Sequence, residues 1–566
     1  MNRQWVVTAD ARGAISSTEE LRGFLLVRRG VGADGAAGFF RSSYKDDIHD
    51  PGNFPDMAAG VDRIFRAIKD KEQIIVYGDY DADGISSTAI LVETLREHGA
   101  RVSPYIPHRI DDGYGLNKEV LERLAPEMSL LVTVDCGVTA AEEVKWLKRQ
   151  KIDTVIVDHH TPGRVKPAAV AIIHPNYPVG SYSWPYLCGA GTAWKVAQAL
   201  SNDNRSVWRG DTDRVKWLLD LAMLGTLGDS VPVLGENRAI VRFGLDVLRR
   251  TKRVGLRKLI DFVGLAGKEV STEDVVFKIV PMLNAAGRMD HAQPALELLM
   301  TKDEAKADKL VAELNLLNRR RQTVTQKVVR EAEKQLAGCG AVIVASGEDW
   351  PPGVVGLAAN RLADKYGKPA VVFGRGGVGS ARSPEGTNVL EILRQAQSML
   401  VKLGGHSQAA GLTIDVSNLP MFTEAMRGME AGAVIEERER LLTLEAEALV
   451  APEILDKQTV RVIEEFAPFG EGNKRPQLVA QNIQLHEWRA VGKNSDHAKL
   501  GLVINNELVD GIGFGLAHEM AAAKITKGSI DILGELTENQ WQGRRRLQFN
   551  VRDAARAGEM KITFQK

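Results

Sequence analysis

Short apolar runs alternate along this chain with stretches whose apolar residues recur every three or four positions. Five runs read as strands: QIIVYGD, RVSPYIP, LLVTVD, TVIVD and AVAIIHP. Between them, SSTAILVETLREHG and AAEEVKWLKRQ carry the spacing of amphipathic helices. Strand–helix alternation predicts a mostly parallel sheet with helices on both faces. Residues 190–300 read as mostly helical. The 35 residues from Lys302 to Leu336 contain no Gly or Pro. As one helix they would span about 50 Å and bridge two lobes; two helices with a bend fit the pattern equally well.

A second α/β block starts at AVIVASG. From about residue 475, strand-like runs dominate (PQLVAQNIQLHEW, HAKLGLVI, ELVDGIGFG, SIDILGEL and RRRLQFNV), as in a small barrel such as an OB-fold. Residues 1–45, broken by glycines in RRGVGADGAAG, read as an N-terminal extension.

Composition narrows the class. A chain of 566 residues suggests three or four domains. With 73 basic and 73 acidic residues the net charge is zero, so nucleic acid must be held by local basic clusters. Three cysteines (Cys136, Cys188, Cys339) are too few for a disulfide framework and fit a reducing compartment. The start resembles no secretion signal, and no uncharged apolar run has the length of a membrane span. These features predict a cytoplasmic protein.

Three of the apolar runs end in titratable groups. IIVYGDYDADG ends in Asp79, Asp81 and Asp83, LLVTVDCG in Asp135, and TVIVDHH in Asp158, His159 and His160. Ligands of open parallel sheets bind at the carboxyl ends of the strands, so these groups should meet at one edge. No Lys or Arg lies between Ile74 and Leu95 to neutralise the first cluster, and like charges at close range repel. Divalent metal relieves that repulsion, and carboxylates with imidazole suit Mn²⁺ or Mg²⁺. Two such ions are a common device for displacement at phosphorus. DYDADG also matches the start of a calcium EF-hand loop, but that loop needs Glu at position twelve, where Ile90 stands. Asp229, after another apolar stretch, reads as a helix cap or an added ligand.

DYDADG, VDCG, DHH and the later GD resemble the successive motifs of the DHH phosphoesterases. GGHSQAAG (Gly404 to Gly411) resembles the glycine-rich signature of the DHHA1 domain that accompanies them. LNAAGRM (Leu283 to Met289), PHRIDDGYGLN (Pro107 to Asn117) and the β-rich end narrow the resemblance to the single-stranded-DNA-specific exonucleases of that family, over residues 45 to 566. The resemblance implies a DHH domain over 46–300, a connecting helix over 301–337, a DHHA1 domain over 338–450 and an OB-fold DNA-binding domain over 451–566. It implies 5′→3′ removal of mononucleotides from single-stranded DNA with two Mn²⁺ or Mg²⁺ ions, in DNA repair and recombination. Asp79, Asp81, Asp83, Asp135, His159 and Asp229 match the metal positions, with Asp135 as the bridge; Tyr77 stands where many relatives carry a histidine. Asp158 would orient His159 and fix its tautomer, and His160 would face the scissile phosphate.

In the same motifs Arg109, Arg288 and Arg382 are candidates for phosphate, because the guanidinium fork donates bidentate hydrogen bonds. Ser380 and His406 join them from the second lobe, and Tyr114 is a candidate to stack on a base, as is Leu116 to wedge against one. Trp488, Arg489, Phe514, Trp541, Arg544, Arg545, Arg546 and Phe549 interleave aromatics with arginines on the barrel strands, a pattern that suits nucleic acid. Seven basic and three acidic residues make Thr537 to Lys566 locally positive. The implied partners are a single strand with a 5′ end, a single-strand-binding protein and a helicase, for a monomer without membrane contact. Two other functions compete: a DHH phosphodiesterase of small nucleotides, disfavoured by the extra barrel, and a DNA scaffold without chemistry, disfavoured by the full set of acidic ligands.

Overall fold

The computed structural model describes residues 4–8, 13–109, 111–337, 340–384, 386–428, 443–541 and 544–564. Cys339 lies outside them, as do the side chains of Trp541 and Arg544. The chain forms two compact units, one of residues 43–431 with 470–472, the other of 1–42, 432–469 and 473–566.

The chain opens on a short strand, β1 (Gln4–Val7), whose partners come from its far end. The larger unit then builds a five-stranded parallel sheet from β2 (Gln73–Tyr77), β3 (Arg101–Tyr105), β4 (Leu130–Val134), β5 (Asp153–Val157) and β6 (Ala171–Ile173), in the order β3-β2-β4-β5-β6. Period-two alternation sorts its side chains. Ile74, Val76, Leu130, Val132 and Val155 join one buried cluster with the helices Met57–Lys69, Ala82–Glu97 and Gly189–Asn202. Ile75, Tyr77, Leu131 and Ile156 join another with Lys118–Leu124 and Ala141–Arg149. Both faces are therefore apolar, which is why these strands read as unbroken hydrophobic runs.

A helical block follows. It leads into one unbroken 30-residue helix, Glu304–Glu333, capped by the Asp303 carboxylate on the Lys306 amide at 2.9 Å. That settles the two readings of this stretch in favour of a single helix, about 45 Å long. Beyond it β7 (Ile343–Ser346), β8 (Ala370–Phe373), β9 (Val378–Arg382), β10 (Leu400–Gly405) and β11 (Ala409–Ile414) form a mixed sheet ordered β10-β11-β9-β8-β7.

The smaller unit holds β12 (Thr443–Ala446), β13 (Ala448–Val450), β14 (Leu478–Val491), β15 (His497–Ile504), β16 (Glu507–Gly513), β17 (Gly528–Trp541), β18 (Arg544–Arg556) and β19 (Lys561–Phe564). β14 pairs with β15 along one half and with β17 along the other, so β14-β15-β16-β18-β17 closes into a five-stranded barrel. Of residues 1–45, read from the sequence as an extension, residues 4–8 and 13–42 contribute to this unit. β1 runs parallel between β12 and β19, and Trp5, fully buried, donates its indole N–H to Asp553 at 3.0 Å. Residues 443–450, assigned from the sequence to the second lobe, are strands of this unit too.

Candidate metal and phosphate site

β2, β4 and β5 are neighbours in one parallel sheet, so their acidic tails arrive side by side. Asp81 caps the helix Ala82–Glu97, its Oδ1 accepting the amides of Asp83 at 2.9 Å and Gly84 at 3.1 Å. Asp79 is buried, and its Oδ1 has no hydrogen-bond partner among the described residues. Asp135 adopts left-handed backbone, φ +60°, just past the end of β4. Asp229 ends the helix Leu219–Gly228.

The ring of His159 turns Nε2 towards three of these carboxylates, at 3.1 Å from Asp135 and 3.7 Å from both Asp83 and Asp229. Ligand atoms of three groups lie within 4.8 Å of one another: Asp79, Asp81 and Asp135; Asp83, His159 and Asp229; Asp135, His159 and His160. Asp135 belongs to two of them. Burial, then repulsion from neighbouring aspartates, pushes the Asp79, Asp135 and Asp229 carboxyls well above their usual range and Asp83 up to about 6. Burial lowers His159 to about 3, leaving the neutral imidazole that a metal requires. An orphaned buried oxygen, mutually repelling carboxylates and a neutral imidazole together suit a hard divalent cation.

The structure corrects one expectation. Asp158 Oδ1 accepts from the ring Nδ1 of His160 at 2.8 Å and from the His159 main-chain amide, not from the His159 ring. Its Oδ2 accepts the Val138 amide at 2.9 Å. The chain turns sharply after β5, so the carboxylate meets the next two amides and the second ring, while the first ring points to Asp135. Burial works to lower His160, but the Asp158 hydrogen bond and charge outweigh it and raise the ring to about 9. The same contact outweighs burial at Asp158 and holds that carboxyl below its ordinary value.

Asp79, Asp81, Asp135, His160 and Asp229 line a cavity of about 230 Å³ together with Arg109, Arg288 and Arg382. Asp83 and His159 lie outside its lining. Arg109 stacks 4.9 Å over the Tyr80 ring. Arg382 donates to Ser380 Oγ at 2.9 Å and Arg288 to the Gly353 carbonyl at 3.4 Å. Among the described residues none of the three pairs with a carboxylate. Burial and repulsion from Arg109 lower Arg288 to about 10 and also lower Arg382. Gathered, half-buried guanidiniums that make no ion pair among the described residues form a seat for an anion. Tyr114 is 52 % exposed at the cavity, its ring 5.7 Å from that of His160. Leu116 is instead buried in the apolar cluster behind the sheet. His406 is exposed and does not line the cavity.

Sequence reasoning passed over Tyr80 and Asn284. Both line the cavity, and Asn284 Oδ1 accepts the Ala82 amide at 2.7 Å, tying LNAAGRM to DYDADG. Their signal was their place inside those motifs.

Residues 73–226 match the DHH family, N-terminal domain; residues 319–430 match the DHHA1 domain; residues 446–553 match the RecJ OB domain. The chain is 36 % identical over 541 residues to the single-stranded-DNA-specific exonuclease RecJ of Bacillus subtilis, covering 94 % of this chain and 67 % of that one. The crystal structure of RecJ from Thermus thermophilus in complex with Mn²⁺ superimposes with a TM-score of 0.80 at 28 % identity, over 99 % of this chain and 80 % of that one. A crystal structure of exonuclease RecJ bound to manganese gives 0.60 at 34 % identity, over 68 % of this chain and 97 % of that one.

Proposed function

The chain belongs to the RecJ family of single-stranded-DNA-specific exonucleases, and on that premise we propose that it is a metal-dependent nuclease that removes 5′-mononucleotides from single-stranded DNA in the 5′→3′ direction. The observation that carries this reading is one cavity lined by carboxylates, His160 and three arginines that pair with no carboxylate among the described residues. Asp79, Asp81, Asp83, Asp135, His159 and Asp229 would hold two Mn²⁺ or Mg²⁺ ions, with Asp135 shared between them. When bound, such ions activate water and neutralise charge developing on the phosphate.

The chain's own residues do the rest. His160, charged through Asp158, offers a proton to a phosphate oxygen beside the carboxylates. Arg109, Arg288 and Arg382 hold a second phosphate, the one at the 5′ end, and Ser380 fixes the Arg382 fork. Tyr114 stands at the mouth with an exposed ring on which a base can stack. His406 would approach the strand from outside the cavity. The β-barrel unit adds affinity through exposed Phe514 and the exposed Arg545 and Arg546 of β18. Repair and recombination, a single-strand-binding protein and a helicase as partners, a cytoplasmic site and a monomeric state follow from the family reading.

The test is digestion of a long single strand labelled at one end. Early release of 5′-labelled mononucleotide, dependent on Mn²⁺ or Mg²⁺, is the expected result. Early release of 3′ label, or endonucleolytic fragments, would overturn the polarity.

A further inference from the structure

Among the described residues the buried carboxylate of Asp83 makes no ion pair with a lysine or arginine. Its Oδ2 accepts the main-chain amide of Gly189 and its Oδ1 that of Ala190, each at 2.7 Å. These are the first two residues of the 14-residue helix Gly189–Asn202, so the carboxylate sits on the positive end of a helix. The other side is closed by Gly225 on the helix Leu219–Gly228. A Cβ at residue 225 would stand 2.3 Å from Asp83 Oδ1 and 2.4 Å from the Ala190 Cβ; a Cβ at residue 189 would stand 2.6 Å from the Asp135 Cβ. One helix start thus touches acids from two neighbouring strand ends. Asp83 belongs to the group with His159 and Asp229, and Asp135 to the group with Asp79 and Asp81.

We infer that the amides of Gly189 and Ala190, with the side-chain-free face of Gly225, are positioning elements that aim Asp83 at its metal, so that Gly225 sets the affinity of the Asp83–His159–Asp229 group. The inference rests on the two-ion reading above. Two amides occupy one lone pair on each Asp83 oxygen, fixing the plane of the carboxylate, and Oδ2 is left 3.7 Å from His159 Nε2. A carboxylate so held needs no rearrangement to bind an ion. One pushed off the helix start by a methyl group at residue 225 loses both amides and its aim together. Loss of such outer contacts costs about ten- to a hundredfold in metal affinity. The three atoms nearest to a Cβ at residue 225 belong to Asp83 and Ala190 and none to the Asp79–Asp81–Asp135 group, which should bind as before.

The experiment is Mn²⁺ titration of the full chain by calorimetry and by electron paramagnetic resonance, without DNA. The unsubstituted chain should show two binding steps; their absence would refute the two-ion reading itself. Gly225→Ala should weaken one step about ten- to a hundredfold and leave the other. Two unchanged steps in a folded Gly225→Ala protein would overturn the inference alone. The control is Ala190→Gly with Gly225→Ala, which removes the Cβ–Cβ clash but leaves the methyl against Asp83. It should recover any lost thermal stability without recovering the weakened step. Recovery of both together, or failure of both variants to fold, would make Gly225 a packing residue and overturn the proposal.

Discussion

The Nδ1 of His160 lies 2.8 Å from Asp158 Oδ1, whereas the adjacent His159 turns its Nε2 to Asp135 at 3.1 Å. Two neighbouring imidazoles thus face different tasks. Asp158→Asn should therefore act through His160 and not through the metals. Its kcat should fall about ten- to a hundredfold with Mn²⁺ stoichiometry unchanged. His160 is raised to about 9 by Asp158, so the protonated ring is lost as pH rises through that value. Without the carboxylate the alkaline limb of the pH–rate profile should move to lower pH. An unmoved limb together with lost Mn²⁺ would return Asp158 to the role of aligning His159.

Asp135 combines a left-handed backbone with membership of two ligand groups. Asn tolerates that backbone, whereas Ala is strained there by about 1–2 kcal/mol. Asp135→Asn should keep the fold, abolish cleavage and bind single strands as before, since the arginines are untouched. Metal analysis should show reduced Mn²⁺ content in Asp135→Asn and Asp135→Ala alike. Full occupancy in either would contradict a shared ligand.

Without metal, the acidic cluster should make the protein less stable as pH rises. His160 is raised to about 9 in the folded chain, so its contribution is complete below about 6.5 and is lost as pH climbs towards 9. Asp79, Asp135 and Asp229, raised well above their usual range by burial, push the same way, because they keep protons that the unfolded chain has released. His159, lowered to about 3, is neutral in the folded chain and about half-charged in the unfolded chain near 6.5, so it opposes the trend only slightly and drops out at higher pH. Chelator-treated protein should melt lower at pH 8.5 than at pH 6.5, and added Mn²⁺ should raise Tm more at pH 8.5. A melting temperature that rises with pH in the chelated protein would refute the sign.

The sheet and the carboxylate ends of β2, β4 and β5 were legible because both are local. An apolar run that stops at an acid is visible in ten residues, and parallel order brings neighbours together. The role of β1 was not legible. Its partners are β12 and β19, more than 430 residues away, and four residues of QWVV carry no sign of them. The partner of Asp158 was misread because sequence adjacency cannot say which of two successive rings folds back. Gly225 was invisible for a third reason, since a missing side chain signals only where another element packs against it.

The place of β1 has a measurable consequence. Trp5 is fully buried among Val7, Leu449, Val479 and Leu533, with its N–H on Asp553. Trp5→Ala should destabilise the barrel unit by about 3–5 kcal/mol and remove the indole hydrogen bond to Asp553. Thermal unfolding followed by calorimetry should show the loss. An unchanged melting profile would mean that residues 4–7 are dispensable to the barrel.

A 5′→3′ exonuclease must sense the leading end, and its terminal phosphate is the most distinctive feature there. Arg109, Arg288 and Arg382 line the wall of the cavity that also holds Asp79, Asp135 and Asp229, and none has a carboxylate partner among the described residues. A charge-assisted hydrogen bond to phosphate contributes roughly 1.5–3 kcal/mol, so Arg288→Ala or Arg382→Ala should cost about ten- to a hundredfold in kcat/KM. Loss of Arg382 also frees Ser380 Oγ, whose described contact is with that guanidinium, so Ser380→Ala should give a smaller loss of the same kind. The losses should be large on 5′-phosphorylated strands and small on 5′-hydroxyl strands, which never made the contact. Matched oligonucleotides with and without the 5′ phosphate supply the comparison. Equal losses on both would assign these arginines to the scissile phosphate or the general backbone, and the sensor of the end would lie elsewhere.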